Sequence, residues 1–224
     1  MDRVDDDGGA KPSGVASHRI AEHLRELILS GQMAPGQRVR QEELAAQFAT
    51  SRIPVREALR ILEAAGLVRL RTSSGAWVSE MDERECQLAY EMRERLEPLL
   101  LAQGFARLTS HDVDELEAVQ EQIERHRDVE QFLVLDRRLH WITYRHHDAD
   151  DLAAVVSRLW DTTQHYRRAF TQLAGDQRRW IISAEHQLLI QAVRDRDLAA
   201  AQDVLRLHIR RTRIELAAHP EVFA

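Results

Sequence analysis

The chain has 224 residues, of which 44% are hydrophobic and 30% charged, with a net charge of −6 at pH 7. Those are ordinary values for a soluble globular protein of one large or two small domains. No apolar run approaches the roughly 18–20 residues of a membrane span, and one cysteine, Cys86, excludes an intrachain disulfide and fits a cytoplasmic protein.

The opening MDRVDDDGGAKPSGV is acidic and lacks the apolar core of a signal peptide, so residues 1–16 read as a flexible tail. Residues 17–79 carry nine Arg against six Glu, a balance of +3, whereas residues 80–224 carry 20 Arg against 27 acidic groups. A basic segment ahead of an acidic one suggests two domains, with any polyanionic partner meeting the first.

From Ser17 to Ser30 the residues Ile20, Leu24, Leu27 and Ile28 recur at helical spacing. SGQMAPGQRV breaks that pattern, QEELAAQFA makes a short helix, and RIPVREALRILEAAG a longer one. Ser51 stands where its N-cap belongs, Pro54 is tolerated in its first turn, and Gly66 is a ready C-cap. Val68/Leu70 and Ala76/Val78 then alternate around a Ser-Ser-Gly turn, which spells a hairpin. Three helices followed by a hairpin are the order of a winged helix-turn-helix.

On the longer helix Arg52, Arg56 and Arg60 recur every four residues as a basic stripe, opposite Val55, Leu59 and Leu62. The N-terminal end of such a helix enters the major groove of DNA, where Arg pairs with guanine or phosphate. Gly75 at the hairpin tip lets backbone approach a phosphate, or simply makes a tight turn.

The segment PGQRVRQEELAAQFATSRIPVREALRILEAAGLV resembles the head of the GntR family of bacterial transcription regulators. The resemblance covers residues 17–79 and implies that Ser51, Arg52 and Arg56 contact operator DNA and that Gly75 meets phosphate or the minor groove. Glu42 stands where some relatives carry a basic DNA-contacting residue.

Beyond Met81 helical periodicity runs through 82–107, 111–127, 129–147, 151–173, 178–195 and 198–218, with short capped breaks. The expected architecture is mainly α: a winged helix-turn-helix, then a six-helix antiparallel bundle over 82–218. Cys86 reads as a small side chain packed in the first of these helices.

In LDRRLHWITYRHH, Asp136 and His140 lie one turn apart on one helix face. His186 and His208 are equidistant from residue 197 in the last break, so a helical hairpin holds them at one height. Both share faces with apolar residues. The two pairs meet only if the 129–147 helix packs on that hairpin. If they meet, an Asp and three His suit Zn²⁺, Ni²⁺, Mn²⁺ or Fe²⁺. If they do not, the histidines are core residues and Asp136 needs an arginine, since an unpaired buried carboxylate costs several kcal/mol.

YEMRERLEP, DRRLH, EHQLLIQAVRDRDLAAA and LRLHI resemble the FCD ligand-binding domain of the FadR-like branch. That resemblance implies a metal on Asp136, His140, His186 and His208, with a small carboxylate effector completing its shell. It also implies a homodimer on an inverted-repeat operator, most relatives being repressors. Leu139 and Asp151 depart from residues common in that branch.

Arg93 matches a family position that points at the pocket, as a carboxylate clamp or as a surface arginine paired with Glu97. Arg158, His165 and Tyr166 are further effector candidates on the 151–173 helix. His146 and His147 read as capping a helix dipole. Two other classes stay open. HHD at 146–148 resembles part of a metal-dependent phosphohydrolase site, and a constitutive DNA binder could carry a purely structural metal.

Overall fold

The computed structural model describes residues 12–71, 75–173 and 175–223, leaving residues 1–11 of the expected tail and the turn residues 72–74 outside. The chain forms two compact units, Met1–Glu80 and Met81–Ala224, each with its own apolar core.

In the first unit α1 spans Pro12–Leu29 and so begins before Ser17, taking in 12–16 of the segment expected as tail. Proline suits a first helical turn because it lacks only an N–H that has no helical partner. Strand β1 (Arg38–Val39), α2 (Gln41–Gln47) and α3 (Arg52–Ala64) follow. Between α2 and α3, Ala49 adopts a left-handed conformation at φ 47°, which closes the tight turn of the motif at a backbone cost of about 1–2 kcal/mol.

Ser51 occupies the N-cap of α3 in extended conformation, but its hydroxyl makes no capping hydrogen bond, so its side chain is left outside the helix. Gly66, at φ 77°, ends α3 in a Schellman turn: Leu67 N donates to Leu62 O and Gly66 N to Glu63 O, both at 2.9 Å.

Strands β2 (Val68–Arg71) and β3 (Gly75–Val78) pair antiparallel, with Val68 opposite Val78 and Leu70 opposite Ala76. β1, which periodicity does not reveal, adds to the far side of β3 to give the order β1-β3-β2. Ile20, Leu24, Val55, Leu59, Leu62 and Val78 close the core under this wing.

The second unit contains six α-helices among the described residues: α4 (Glu83–Gly104), α5 (Ser110–Arg125), α6 (Val129–Tyr144), α7 (Asp150–Leu173), α8 (Asp176–Arg194) and α9 (Leu198–Ala217). Asp82, Thr109, Asp128 and Asp197 cap four of them through their side chains. Two ends differ from the periodicity. α4 stops at Gly104 and continues as a 3₁₀ turn, and α6 stops at Tyr144, which leaves His146 and His147 in a loop.

Gly104 has no room for a side chain, because a Cβ would stand 2.7 Å from the backbone carbon of His146. α4 packs on α6, α7 and α9; α5 lies against α6 and α8; and α8 turns through Asp195–Asp197 into α9. This wraps α6, α8 and α9 around one interior region.

Candidate metal centre and DNA-reading face

α6 is buried on most of its circumference, including Phe132, Leu133, Asp136, Leu139 and His140. Asp136 and His140 project into the interior with His186 of α8 and His208 of α9, all four less than 10% exposed. One ligand atom from each lies within 4.8 Å of the others, and this is the grouping of three or more His, Cys, Asp or Glu found among the described residues. The imidazole centroids are 5.0 Å (His186–His208), 5.1 Å (His140–His208) and 5.7 Å (His140–His186) apart.

The hydrogen bonds around the cluster fix which nitrogen of each ring faces inward. Gln120 donates its amide N–H to Glu124 at 2.8 Å, so its Oε1 accepts from His186 Nδ1 at 2.9 Å. Glu185 Oε2 accepts from His208 Nδ1 at 2.9 Å, and its other oxygen accepts from Arg211 Nε at 2.5 Å. Tyr144 gives its hydroxyl proton to Glu97 at 2.7 Å, leaving its oxygen to accept from His140 Nδ1 at 3.3 Å.

Each Nδ1 therefore carries the proton, and each Nε2 keeps its lone pair. Nε2 of His140 and of His186 are buried without a hydrogen-bond partner. His186 Nε2 stands 3.3 Å from Asp136 Oδ1, two lone pairs facing each other, a juxtaposition that a divalent cation relieves. The donor set fits a divalent ion.

Charge states agree with that geometry. Burial pushes His140 well below the ordinary histidine range, although Asp136 pulls the other way. Burial also lowers His208, against the opposing pull of Glu185. Both are neutral at neutral pH, as ligation requires. Burial alone would raise Asp136, but the Arg167 guanidinium beside it outweighs that and holds the carboxyl well below its usual range. Arg167 donates to Asp136 Oδ2, so the carboxylate already has a cationic partner on the side away from His186.

A small cavity of about 30 Å³, room for roughly two waters, adjoins the cluster and is lined by Asp136, His208, Arg93, Arg167, Phe132 and Trp160 among others. Arg93 and Arg167 both lie against the Trp160 ring, at 4.2 and 4.4 Å from its centroid. Arg93 pairs with Glu97, as one of its two sequence readings expects, but inside the unit rather than at its surface: it is 3% exposed, and its Nε donates to the equally buried Glu97 at 2.5 Å.

The other three effector candidates do not line this cavity. Arg158 is exposed on α7, Tyr166 donates to Met81 O at 2.8 Å and stacks on Phe223, and His165 packs beside Tyr166. His146 lies beyond the end of α6 and faces the Asp112 carboxylate at 3.0 Å, and among the described residues those of HHD form no metal-ligand group with other side chains. Sequence reasoning missed Arg167, Trp160, Gln120, Glu185 and Tyr144. Two of these carried a signal: Tyr144 lies one turn after His140, and Glu185 precedes His186 directly.

In the first unit, Arg52, Arg56, Arg60, Arg71, Gln41 and Gly75 border one open groove between α3 and the wing. Arg52 pairs with Glu42 at 3.3 Å and Arg60 with Glu57 at 3.3 Å, both on the exposed surface. Such exposed pairs are worth about 0–1 kcal/mol and yield readily to a phosphate or a base. Gly75 opens β3 at φ 105°, a conformation that disfavours other residues. Arg38 and Arg71 lie against the wing's Trp77 at 5.7 and 5.5 Å.

Residues 16–78 match the family model described as bacterial regulatory proteins, gntR family, and residues 88–211 match the FCD domain. An HTH-type transcriptional regulator in an unstable DNA locus of Streptomyces ambofaciens is 30% identical over 96% of this chain and 93% of its own length. The gluconate operon transcriptional repressor of Bacillus subtilis is 28% identical, over 81% of this chain and 76% of that protein. The structure of Escherichia coli McbR/YncC superposes with a TM-score of 0.79 at 21% identity, covering 91% of this chain and 98% of that one. The chain belongs to the GntR family of transcription regulators, its winged helix-turn-helix followed by an FCD domain.

Proposed function

We propose that this regulator binds an inverted-repeat operator as a homodimer, reading it with Ser51, Arg52, Arg56, Arg60 and the wing glycine Gly75. A small carboxylate reaching the Asp136–His140–His186–His208 centre controls that binding, and the resting action is repression. The observation that carries the reading is the set of three imidazoles whose Nδ1 protons are committed to Tyr144, Gln120 and Glu185, so that their Nε2 atoms converge with one carboxylate. Those four residues would hold one Zn²⁺, Ni²⁺, Mn²⁺ or Fe²⁺. A bound divalent cation with open positions supplies a Lewis-acidic seat for a carboxylate oxygen.

The adjoining cavity favours an effector-responsive centre over a purely structural one, because it brings the guanidiniums of Arg93 and Arg167 beside the ligands. Arginine takes a carboxylate through two parallel hydrogen bonds. The cavity is too small for an organic acid as it stands. Phe132 also lines an outer groove of about 450 Å³ with Arg127, Arg179 and Trp180, so displacement of one ring would join the two spaces.

Entry of an acid would spread the walls around α6 and α8, and the operator responds only if the ligand binds one body conformation better than another. Repression draws support from the name of the gluconate operon repressor, and two-fold symmetry in the protein matches an inverted repeat in the DNA.

The test combines elemental analysis of protein purified without chelators with operator binding across a panel of small organic acids. About one divalent ion per chain and acid-dependent release that chelation abolishes are expected. Absence of any ion, with none taken up on titration, refutes the centre. An acid response that survives chelation places the effector elsewhere.

A further inference from the structure

The inward side of α3 is apolar, with Val55, Ala58, Leu59 and Leu62 buried. Ile53 lies on the opposite side, where it is 71% exposed. It stands three residues before Arg56 and seven before Arg60, so the helical period sets it on the basic stripe. It borders the same groove as Arg52, Arg56 and Gly75. A single exposed apolar side chain needs no explanation on an ordinary surface. Here it is the second residue of the helix whose first turn meets base edges, surrounded by guanidiniums, at a position where a β-branched residue favours neither the helix nor solvation.

We propose that Ile53 packs on the 5-methyl group of a thymine in the base step beside that contacted by Arg52, and thereby specifies a T·A pair in each operator half-site. The inference rests on the reading of α3 as the recognition helix. Thymine alone presents an apolar group in the major groove, and isoleucine, with no donor or acceptor, discriminates nothing else there. Its χ1 is stiff, so ordering it on contact costs little. Arg52 and Arg56 supply attraction and guanine readout, and Ile53 supplies the one feature that a guanidinium cannot read.

Full-length protein is first used to select its operator from random duplex DNA. Each thymine of a half-site is then replaced in turn by deoxyuridine, which removes the methyl group and leaves every hydrogen-bonding atom in place. Wild type should lose about fourfold in affinity per half-site at one such position, the value of one buried methyl.

Ile53→Ala should bind the thymine operator about as weakly as wild type binds the deoxyuridine one, and should no longer distinguish the two. As Ile53 is exposed, this variant keeps the core of the unit. Wild type indifferent to deoxyuridine at every position, a selected half-site without an invariant thymine, or an Ile53→Ala variant that keeps the preference would each overturn the inference. Arg56→Ala serves as the parallel control. If it retains full affinity, the recognition-helix reading itself fails; if it loses affinity while deoxyuridine has no effect, the role of Ile53 alone fails.

Discussion

Replacing His186 with alanine distinguishes a metal ligand from a core histidine by the way its effect depends on chelator. The imidazole is 1% exposed and donates through Nδ1 to Gln120. Truncation leaves that buried amide oxygen unpaired, at about 1–3 kcal/mol, and opens a void whose cost is about the same size. These losses of about 2–6 kcal/mol fall on the variant whether or not a metal is present. Asp136 is not stranded, because Arg167 still faces it. Wild type gains about 4 kcal/mol more when the free ion is about a thousandfold above its dissociation constant, and a variant lacking one of four ligands gains little. The stability gap between the two proteins should therefore widen by about 4 kcal/mol on removal of chelator, or roughly 10 °C in the melting temperature of a unit of this size. Scanning calorimetry of both proteins, with and without chelator and with each of Zn²⁺, Ni²⁺, Mn²⁺ and Fe²⁺, gives the answer. A gap that ignores chelator for every ion would mean a histidine core in which Arg167 alone balances Asp136.

Arg52→Ala and Arg56→Ala should each lose about 1–3 kcal/mol of specific operator binding while remaining folded, read by fluorescence anisotropy at fixed salt. Gly104→Ala should destabilise the second unit by about 1–3 kcal/mol, measured by urea denaturation, since the new Cβ meets the backbone at His146 and His147 rather than a movable side chain. Asp112 accepts from Thr109, Arg145 and His146, and although burial would raise it, its hydrogen bonds hold the carboxyl well below the usual carboxylate range. Its contribution is thus fully present above its unfolded value of about 4 and is lost as pH falls toward the folded one, so Asp112→Asn should cost about 1–2 kcal/mol at pH 7 and progressively less below pH 4. The thiol of Cys86 is pushed up to about 12 by burial, against a smaller opposing effect of Arg93, and it should resist a disulfide reagent at pH 8 until the protein unfolds.

The head was legible because each of its elements has a local cause. Gly66 ends α3 by a left-handed residue, the Val68/Leu70 and Ala76/Val78 alternation sets the hairpin register, and period-four apolar spacing sets the inward face of α3. β1 was not legible, since two residues carry no period and Arg38–Val39 is a strand only because β3 lies beside it. Ser51 taught a different lesson. Position makes it the N-cap, but whether its hydroxyl turns back to the helix is decided by the local chain path, and here it does not. In the second unit, His146 looked like a helix terminus because the periodicity runs on past Tyr144. The acceptor that claims it, Asp112, lies in another helix.

The centre divides in the same way. His186 and His208 could be paired in advance because a helical hairpin turns equal distances from its bend into equal heights, and Asp136 and His140 because one turn separates them. What no spacing encodes is the partner of the Asp136 carboxylate. Arg167 is one of 31 basic residues, 31 positions away on a different helix, and only packing of α7 on α4 and α6 brings its guanidinium to that oxygen. Its presence changes how the site works. The sequence reading set two accounts against each other, a metal on Asp136 or an arginine on Asp136, as the means of sparing a buried charge. The carboxylate has two oxygens, and the geometry gives one to Arg167 and turns the other toward His186 Nε2. The arginine lets the unit fold without an ion, since Asp136 is never an unpaired buried charge. The second oxygen and the bare imidazole nitrogens keep their lone pairs for a cation. On the proposed reading, folding and cation binding are thereby separated, which a sensor requires and a folding-dependent structural metal does not.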